Sequence, residues 1–299
     1  ARVKAAEAAG IAAGLAVAAL ILAIARRTAG EAAGWAAGYL YAVFSATFFP
    51  SDMVAANREI FMILPLSLSA WFFLRGEESA GGGGREYFLA GACAGLGGLF
   101  KQPGFTMAFA LLLSALSGLF RPGGVRRSAA RVGWILAGLA AALFGCALFF
   151  QIQRTLSELV FWSWTYGLAY SGSVPWGEAL RSWSRMAADA VIPNPLFWVL
   201  ALAGIVLGGP GGIVRGRGFL LLWGIFSAAG AALGKRLIPH YLIQVFPPFA
   251  VLAGAGFGRL LRIFSAPGRP ASLRPAFVGV SVLLALASAA WSYRWRFDP

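Results

Sequence analysis

Charge is the commodity this sequence has least of: only 12% of its 299 residues are Asp, Glu, Lys or Arg, with 11 acids and a single histidine. So little charge cannot cover a water-facing surface. With 59% hydrophobic residues and a mean hydropathy of +0.74, the chain reads as an integral membrane protein, and a soluble enzyme is excluded. Sustained alternation of apolar and polar residues is also missing, which excludes a β-barrel, whose strands need that dyad period. Cysteine is scarce: Cys93 and Cys146 lie in apolar stretches without metal-ligand neighbours and say nothing of redox compartment. No nucleophile elbow accompanies His240, and no spacing resembles a zinc finger or a metalloprotease helix. The opening lacks the basic segment, short apolar core and cleavage site of a signal peptide, and it begins at Ala1; the expectation is that a segment precedes it.

What is present is a series of apolar runs bounded by charge, Gly or Pro. Ten candidate spans follow, at 8–25, 32–49, 60–74, 86–100, 104–120, 133–150, 196–213, 218–234, 242–258 and 276–293. The expected fold is an all-α bundle of about ten transmembrane helices, with 1–299 as a single transmembrane domain. The runs at 60–74 and 86–100 are short and must tilt, snorkel their ends or extend into their flanks.

The net charge of +14 does not point to nucleic acid, because most arginines sit in short loops and no continuous basic face exists. Alternating the spans puts 14 of the 25 cations on one side and 11 on the other, several of the latter in the termini and the one long loop. The first side, with Arg26, Arg75, Arg126, Arg215 and Arg262, is therefore read as cytoplasmic, and Lys101, His240 and the loop 151–195 as outward.

Small residues recur four apart at Gly10/Gly14, Gly34/Gly38, Gly91/Gly95 and Gly254/Gly258, where they let helix backbones approach. The run Gly81–Gly84 lacks the Gly-Lys-Ser/Thr ending of a phosphate loop and reads as a flexible linker. The loop 151–195 carries Phe161, Trp162, Trp164, Tyr166, Tyr170, Trp176 and Trp183, a density that suits the membrane interface. Within it Trp176, Ala179, Leu180, Trp183, Ala187 and Ala190 recur at helical spacing opposite Glu178, Arg181, Ser182, Arg185 and Asp189. The spacing predicts an amphipathic helix in the membrane plane over 176–190; a loop that merely anchors its neighbours is the plainer reading.

Three outward turns carry polar chemistry. Lys101, in Phe100-Lys101-Gln102-Pro103-Gly104, is one of only three lysines against 22 arginines. A charge at membrane depth is costly without a partner or a task, although snorkelling to the headgroups would also account for it. The second turn runs Lys235-Arg236-Leu237-Ile238-Pro239-His240-Tyr241. A lone histidine is more often a structural hydrogen bonder, but beside Lys235 and Arg236 it can join an anion site, since all three groups donate to phosphate oxygens. The third, Ser51 to Glu59, contains Asp52, Asn57, Arg58 and Glu59. Helix capping by Ser51 or Asp52 and a dipole role for Glu59 explain the acids, but not Asn57-Arg58-Glu59 so near hydrocarbon.

Taken together, Ala55-Ala56-Asn57-Arg58-Glu59-Ile60-Phe61-Met62, then Leu89-Ala90-Gly91 through Phe100-Lys101-Gln102-Pro103, then Arg236 through Pro239-His240-Tyr241 resemble one family over roughly residues 1–260. It is that of the C-type (GT-C) multi-span glycosyltransferases, in the bacterial branch related to protein O-mannosyltransferases and the aminoarabinose transferase of lipid A. The resemblance implies a multi-pass protein of the bacterial inner membrane that moves a hexose or pentose from a polyprenyl-phosphate donor. The acceptor would be a hydroxyl of a lipid, glycan or protein on the outer face, and the transfer would invert the anomeric carbon. It implies membrane lipids as further partners and no nucleic acid. Lys101, Lys235, Arg236 and His240 would hold the donor phosphate, with Tyr241 donating a hydrogen bond, while Asn57, Glu59 and Gln102 would meet sugar or acceptor. A divalent metal ion shared by Glu59 and His240 is an alternative role, and no other cofactor is implied. The aromatic loop 151–195 would cover the cavity.

The sequence departs from that family in lacking the first outer loop, which carries the acidic catalytic residue. The catalytic base is therefore expected upstream of Ala1, and Asp52 and Glu59 are poor substitutes by position. Two alternatives remain: a transporter or flippase for lipid-linked saccharides, which would use the same cations without bond cleavage, and a catalytically inactive GT-C homologue. A transporter calls for paired polar sites on both leaflets, whereas the polar residues here cluster outward and no inverted repeat of broken helices is seen.

Overall fold

The computed structural model describes residues 2–47, 58–119, 124–172, 174–192, 194–208, 216–235 and 239–297. In chain order the long helices are α1 (Arg2–Ala29), α2 (Glu31–Thr47), α3 (Arg58–Glu78) and α4 (Gly84–Phe100). A 3-10 turn, Gln102–Phe105, leads into α5 (Thr106–Leu116), followed by α6 (Gly124–Ile152). Next come α7 (Leu156–Val160), a π turn over Phe161–Thr165, α8 (Tyr166–Gly172) and α9 (Trp176–Val191). The chain closes with α10 (Pro195–Leu207), α11 (Arg217–Ala232), a 3-10 segment Pro239–Val245, α12 (Phe246–Phe264) and α13 (Leu273–Phe297).

Among the described residues, each of the ten expected spans is largely helical and no strand occurs. Five helices among the described residues are long and apolar enough to cross a membrane: Lys4–Ala29, Arg58–Glu78, Gly124–Ile152, His240–Phe264 and Leu273–Trp291. The short run at 60–74 gains its length by extending into both flanks. The runs at 104–120 and 196–213 yield helices of only 11 and 13 residues. Thirteen residues rise about 20 Å, less than the roughly 30 Å of a hydrocarbon core. The protein is an all-α, multi-pass membrane protein.

The contacts divide the chain into two compact units, one of Ala1–Ile60, Met186–Leu221 and Val245–Pro299, the other of Phe61–Arg185 and Leu222–Gln244. In the first unit Gly30, at φ +98°, turns α1 back along α2, a conformation that glycine adopts without steric penalty. A Cβ on Gly254 would collide with the Ala33 carbonyl, one on Gly256 with the Leu200 carbonyl and one on Gly204 with the Leu252 carbonyl. α12 therefore packs backbone to backbone against both α2 and α10. Phe197 fills the space between, edge-on to Phe44 at 5.2 Å and to Phe246 at 5.8 Å.

In the second unit, α4 and α6 meet the same way: Gly91 abuts the Ile135 carbonyl and Gly138 the Phe88 carbonyl. The contact order, Gly84 with Trp134, Gly91 with Ile135 and Gly95 with Ala142, runs these helices parallel. Three of the four expected glycine pairs thus pack as read. The exception is Gly10/Gly14, because a Cβ on Gly14 would meet nothing within 4 Å.

The glycine run is a built turn and not a flexible linker. Gly82 and Gly83 adopt φ +88° and +66°, and a Cβ on Gly83 would strike the Gly76 backbone. This close approach lets the Tyr87 hydroxyl donate to Glu77 at 2.7 Å, while Arg131 pairs with the same carboxylate at 3.0 Å. Arg75, Arg85, Arg126, Arg127 and Arg131 therefore gather at one end of the α4–α6 pair, and Lys101 stands at the other. That separation is the one expected from alternating the spans.

The stretch 151–195, read as a loop with one helix, is helical over most of its length. Its aromatics pack on one another along the backbone, with Trp162 5.4 Å from Tyr166, which suits a helix as well as an interface. The expected amphipathic helix is α9. Ala179 and Ala190 are buried and Arg181 and Arg185 exposed, as the spacing requires, but Leu180 and Trp176 are exposed too.

Candidate functional site

The second unit holds most of the polar turns at one end of its helices. α4 stops at Phe100 because Pro103 cannot extend an α-helical ladder, and Lys101 takes an extended conformation. The turn is tight: a Cβ on Gly104 would overlap the Gly97 backbone, one on Gly98 the Phe105 ring, and the Gly104 N–H donates to the Lys101 carbonyl at 2.9 Å. Thr106 Oγ1 donates to the Pro103 carbonyl at 2.7 Å.

α11 closes on this turn at Gly230, where a Cβ would lie 2.8 Å from Thr106 Oγ1 and 2.9 Å from the Pro103 carbonyl. The close approach brings the 3-10 segment that follows against Lys101. The Lys101 ammonium lies 3.6 Å from the centre of the Tyr241 ring, and the His240 ring stands edge-on to Tyr241 at 5.0 Å. Tyr241 is thus the shared neighbour of the lysine and the histidine.

Lys235 follows the end of α11 in the left-handed conformation, φ +54°, with its N–H on the Ala232 carbonyl at 3.0 Å. Its ammonium lies 4.5 Å from the centre of the Trp176 ring, and Trp176 stands edge-on to Trp183 at 6.2 Å. Two of the three lysines therefore rest on aromatic faces, a contact worth about 0.5–2 kcal/mol according to exposure. That is comparable to or weaker than hydrogen bonds between an ammonium and an anion, about 1.5–3 kcal/mol each, so the ring contact does not prevent either ammonium from turning to an anion.

Gln102 donates through Nε2 to the Ser163 carbonyl in the π turn, and Phe105 stacks on Trp164 at 6.1 Å. The aromatic stretch thus lies directly on the Lys101 turn. Sequence reasoning proposed such a cover, with Trp164 among its aromatics, but not Phe105 as its partner, nor Thr106 and Gly230 as the residues that close the turn beneath it. Their only signal was proximity to Lys101 or to the aromatic run.

Glu59 lies in the first turn of α3, buried, and belongs to the first unit. Asn57, Asp52 and Arg236 lie outside the described residues. Among the described residues no group of three or more His, Cys, Asp or Glu side chains comes together to hold a metal ion.

Two comparisons bear on what this bundle is. The structure is similar to the crystal structure of the Archaeoglobus fulgidus oligosaccharyltransferase in its apo form, with a TM-score of 0.54 and 15% identity. That similarity covers 95% of this chain and 44% of the archaeal one, so the chain spans less than half the length of the enzyme it matches. Residues 4–152 match the sequence model of the dolichyl-phosphate-mannose-protein mannosyltransferase family. The class these findings support is a multi-span helical membrane bundle similar in fold to that oligosaccharyltransferase. The stretch that matches the mannosyltransferase family model contains Glu59, Lys101 and Gln102, while residues 235–241 lie beyond the matched range. No curated protein sequence matches the chain.

Proposed function

We propose that the protein is a membrane glycosyltransferase that takes its sugar from a polyprenyl-phosphate carrier at the outer face of a bacterial inner membrane. The acceptor is a hydroxyl of a lipid, glycan or protein. The acceptor hydroxyl gives its proton to a carboxylate base as its oxygen bonds to the anomeric carbon with inversion; the bond from that carbon to the phosphate oxygen breaks, and the carrier leaves as a phosphate anion. Developing negative charge on that oxygen calls for cations already aimed at it. The observation that carries the reading is Lys101 on the face of Tyr241, which joins two turns far apart in sequence at one end of one unit. Lys101 and His240 flank the phosphate in this reading, Lys235 and Arg236 add charge, and Tyr241 donates its hydroxyl once the lysine turns to the anion. Gln102 and Glu59 serve sugar or acceptor.

The test is transfer by the full-length protein in lipid nanodiscs, supplied with a polyprenyl-phosphate sugar and an acceptor. Lys101→Ala is expected to lower the transfer rate on the order of 100-fold or more, with unfolding temperature and yield unchanged. Lys101→Arg is expected to retain part of the rate. Donor-lipid binding, measured on the same variants, separates loss of the site from loss of the fold. Full transfer by Lys101→Ala would overturn the assignment. Passage of the lipid-linked sugar across the bilayer without a new glycosidic bond would move the protein to the transporter class.

A further inference from the structure

Beside the π turn that covers the Lys101 turn, the same unit has a cavity of about 680 Å³, wide open to the surface and lined by Gln151, Arg154, Leu156, Ser157, Val160, Phe161 and Thr165. Its size lies within the range of small-molecule sites, and its wall divides into polar groups and an apolar side of Leu156, Val160 and Phe161. Glu158, in the first turn of α7, does not line it.

The residue at its mouth is in an unusual state. α6 ends in a Schellman motif: the Thr155 N–H donates to the Phe150 carbonyl at 2.9 Å and the Arg154 N–H to the Gln151 carbonyl at 3.0 Å. The position that must turn left-handed in this motif is normally glycine, because a Cβ there crowds the backbone. Here it is Arg154, at φ +57°, in a chain with 39 glycines to choose from. A cation beside a helix C-terminus is favourable in itself, but position 153 or 155 would supply that benefit without the strain. What position 154 adds is a guanidinium at the cavity. Among the described residues the other non-glycine with positive φ is Lys235, also a cation directly following a helix.

We infer that this cavity is a second anion site, which takes a phosphate headgroup. Arg154 supplies the charge and planar donors that match phosphate oxygens; Gln151, Ser157 and Thr165 supply neutral hydrogen bonds. Leu156, Val160 and Phe161 offer surface for the carbon chain or backbone next to the phosphate. The inference rests on the cavity and the backbone of Arg154; although its wall shares the Phe161–Thr165 turn with the cover of the Lys101 turn, it does not depend on Lys101 holding a donor phosphate.

The variant that tests it is Arg154→Gly, which removes the guanidinium and places the residue the backbone favours, so that the fold is kept or strengthened. Full-length protein in nanodiscs is examined by native mass spectrometry for retention of phosphatidylglycerol against phosphatidylcholine. In a second arm, detergent-solubilised protein is titrated with glycerol 3-phosphate. Wild type is expected to retain phosphatidylglycerol preferentially and Arg154→Gly to lose that preference about tenfold or more, with an unchanged or higher unfolding temperature. Loss of binding in the nanodisc arm alone assigns the site to a lipid headgroup, and loss in both arms to the phosphate itself. Equal retention of the two lipids by wild type, together with no glycerol 3-phosphate binding, would overturn the site. So would an Arg154→Gly protein that binds as wild type does in both arms.

Discussion

In the unit formed by Ala1–Ile60, Met186–Leu221 and Val245–Pro299, Gly204, Gly254 and Gly256 sit against carbonyls of the facing helices. In the other unit Gly91 and Gly138 do the same. Their charges are disposed differently. The first unit has an exposed ion pair, Arg26 with Glu31, at the turn between α1 and α2. The second has Arg75, Arg85, Arg126, Arg127 and Arg131 at one end, where Arg131 pairs with Glu77, and two lysines on aromatic rings at the other. In lipid there is no hydrophobic drive between helices, so glycine contacts that bring backbones together are needed in both. Polar chemistry is extra, and it is concentrated at one end of one unit.

The largest effect expected on this comparison comes from filling the glycine contacts. Gly138→Ala in one unit and Gly256→Ala in the other should each destabilise by about 1–3 kcal/mol, read as a lowered midpoint in denaturant titration of detergent-solubilised protein. Similar losses would mean the device carries equal weight in both units; a loss confined to one would break the parallel.

Tyr87→Phe comes next, removing the hydroxyl that donates to Glu77 and leaving Arg131 in place. A loss of about 0.5–1.5 kcal/mol is expected in the same assay. It should leave sugar transfer intact, because the arginine-rich end lies at the opposite end of α4 from Lys101. A transfer defect as deep as that of Lys101→Ala would erase the distinction between the two ends.

The smallest effect belongs to Gly14→Ala. With open space around it and a helical backbone, a change of only a few tenths of a kcal/mol, or a slight gain from helix propensity, is expected. A loss matching Gly138→Ala would show that the Gly10/Gly14 pair is a contact after all.

Much of this architecture could be read from the sequence, because span position and the face of α9 depend on local periodicity. Three of the glycine pairs were legible for the same reason. Their reciprocal partners were not: Gly138 has no glycine four residues away and Gly204 is the one glycine of α10, so nothing local marks them as the place where a neighbour's carbonyl arrives. Residues 156–172 were missed as helix because Phe161-Trp162-Ser163-Trp164-Thr165 has no polar stripe to reveal a period. Lys101 and Tyr241 were each picked out, but their meeting is a long-range contact. It was anticipated through a family resemblance and a shared need for partners, never through spacing. The cover by the aromatic loop had the same guide, but Phe105 as the ring that Trp164 meets had none. The left-handed turn at Arg154 gave no warning, since the absence of glycine is visible only once the backbone is known.

The glycines under the Lys101 turn have an entropic consequence. Gly97, Gly98 and Gly104 press main chain and ring together so closely that the loop has few conformations left to lose. An anion that meets Lys101 there finds the backbone already ordered and needs only to settle the lysine side chain, at a cost of about 1.5–2 kcal/mol at most. The freedom was surrendered when the helices folded, and binding need not surrender it again.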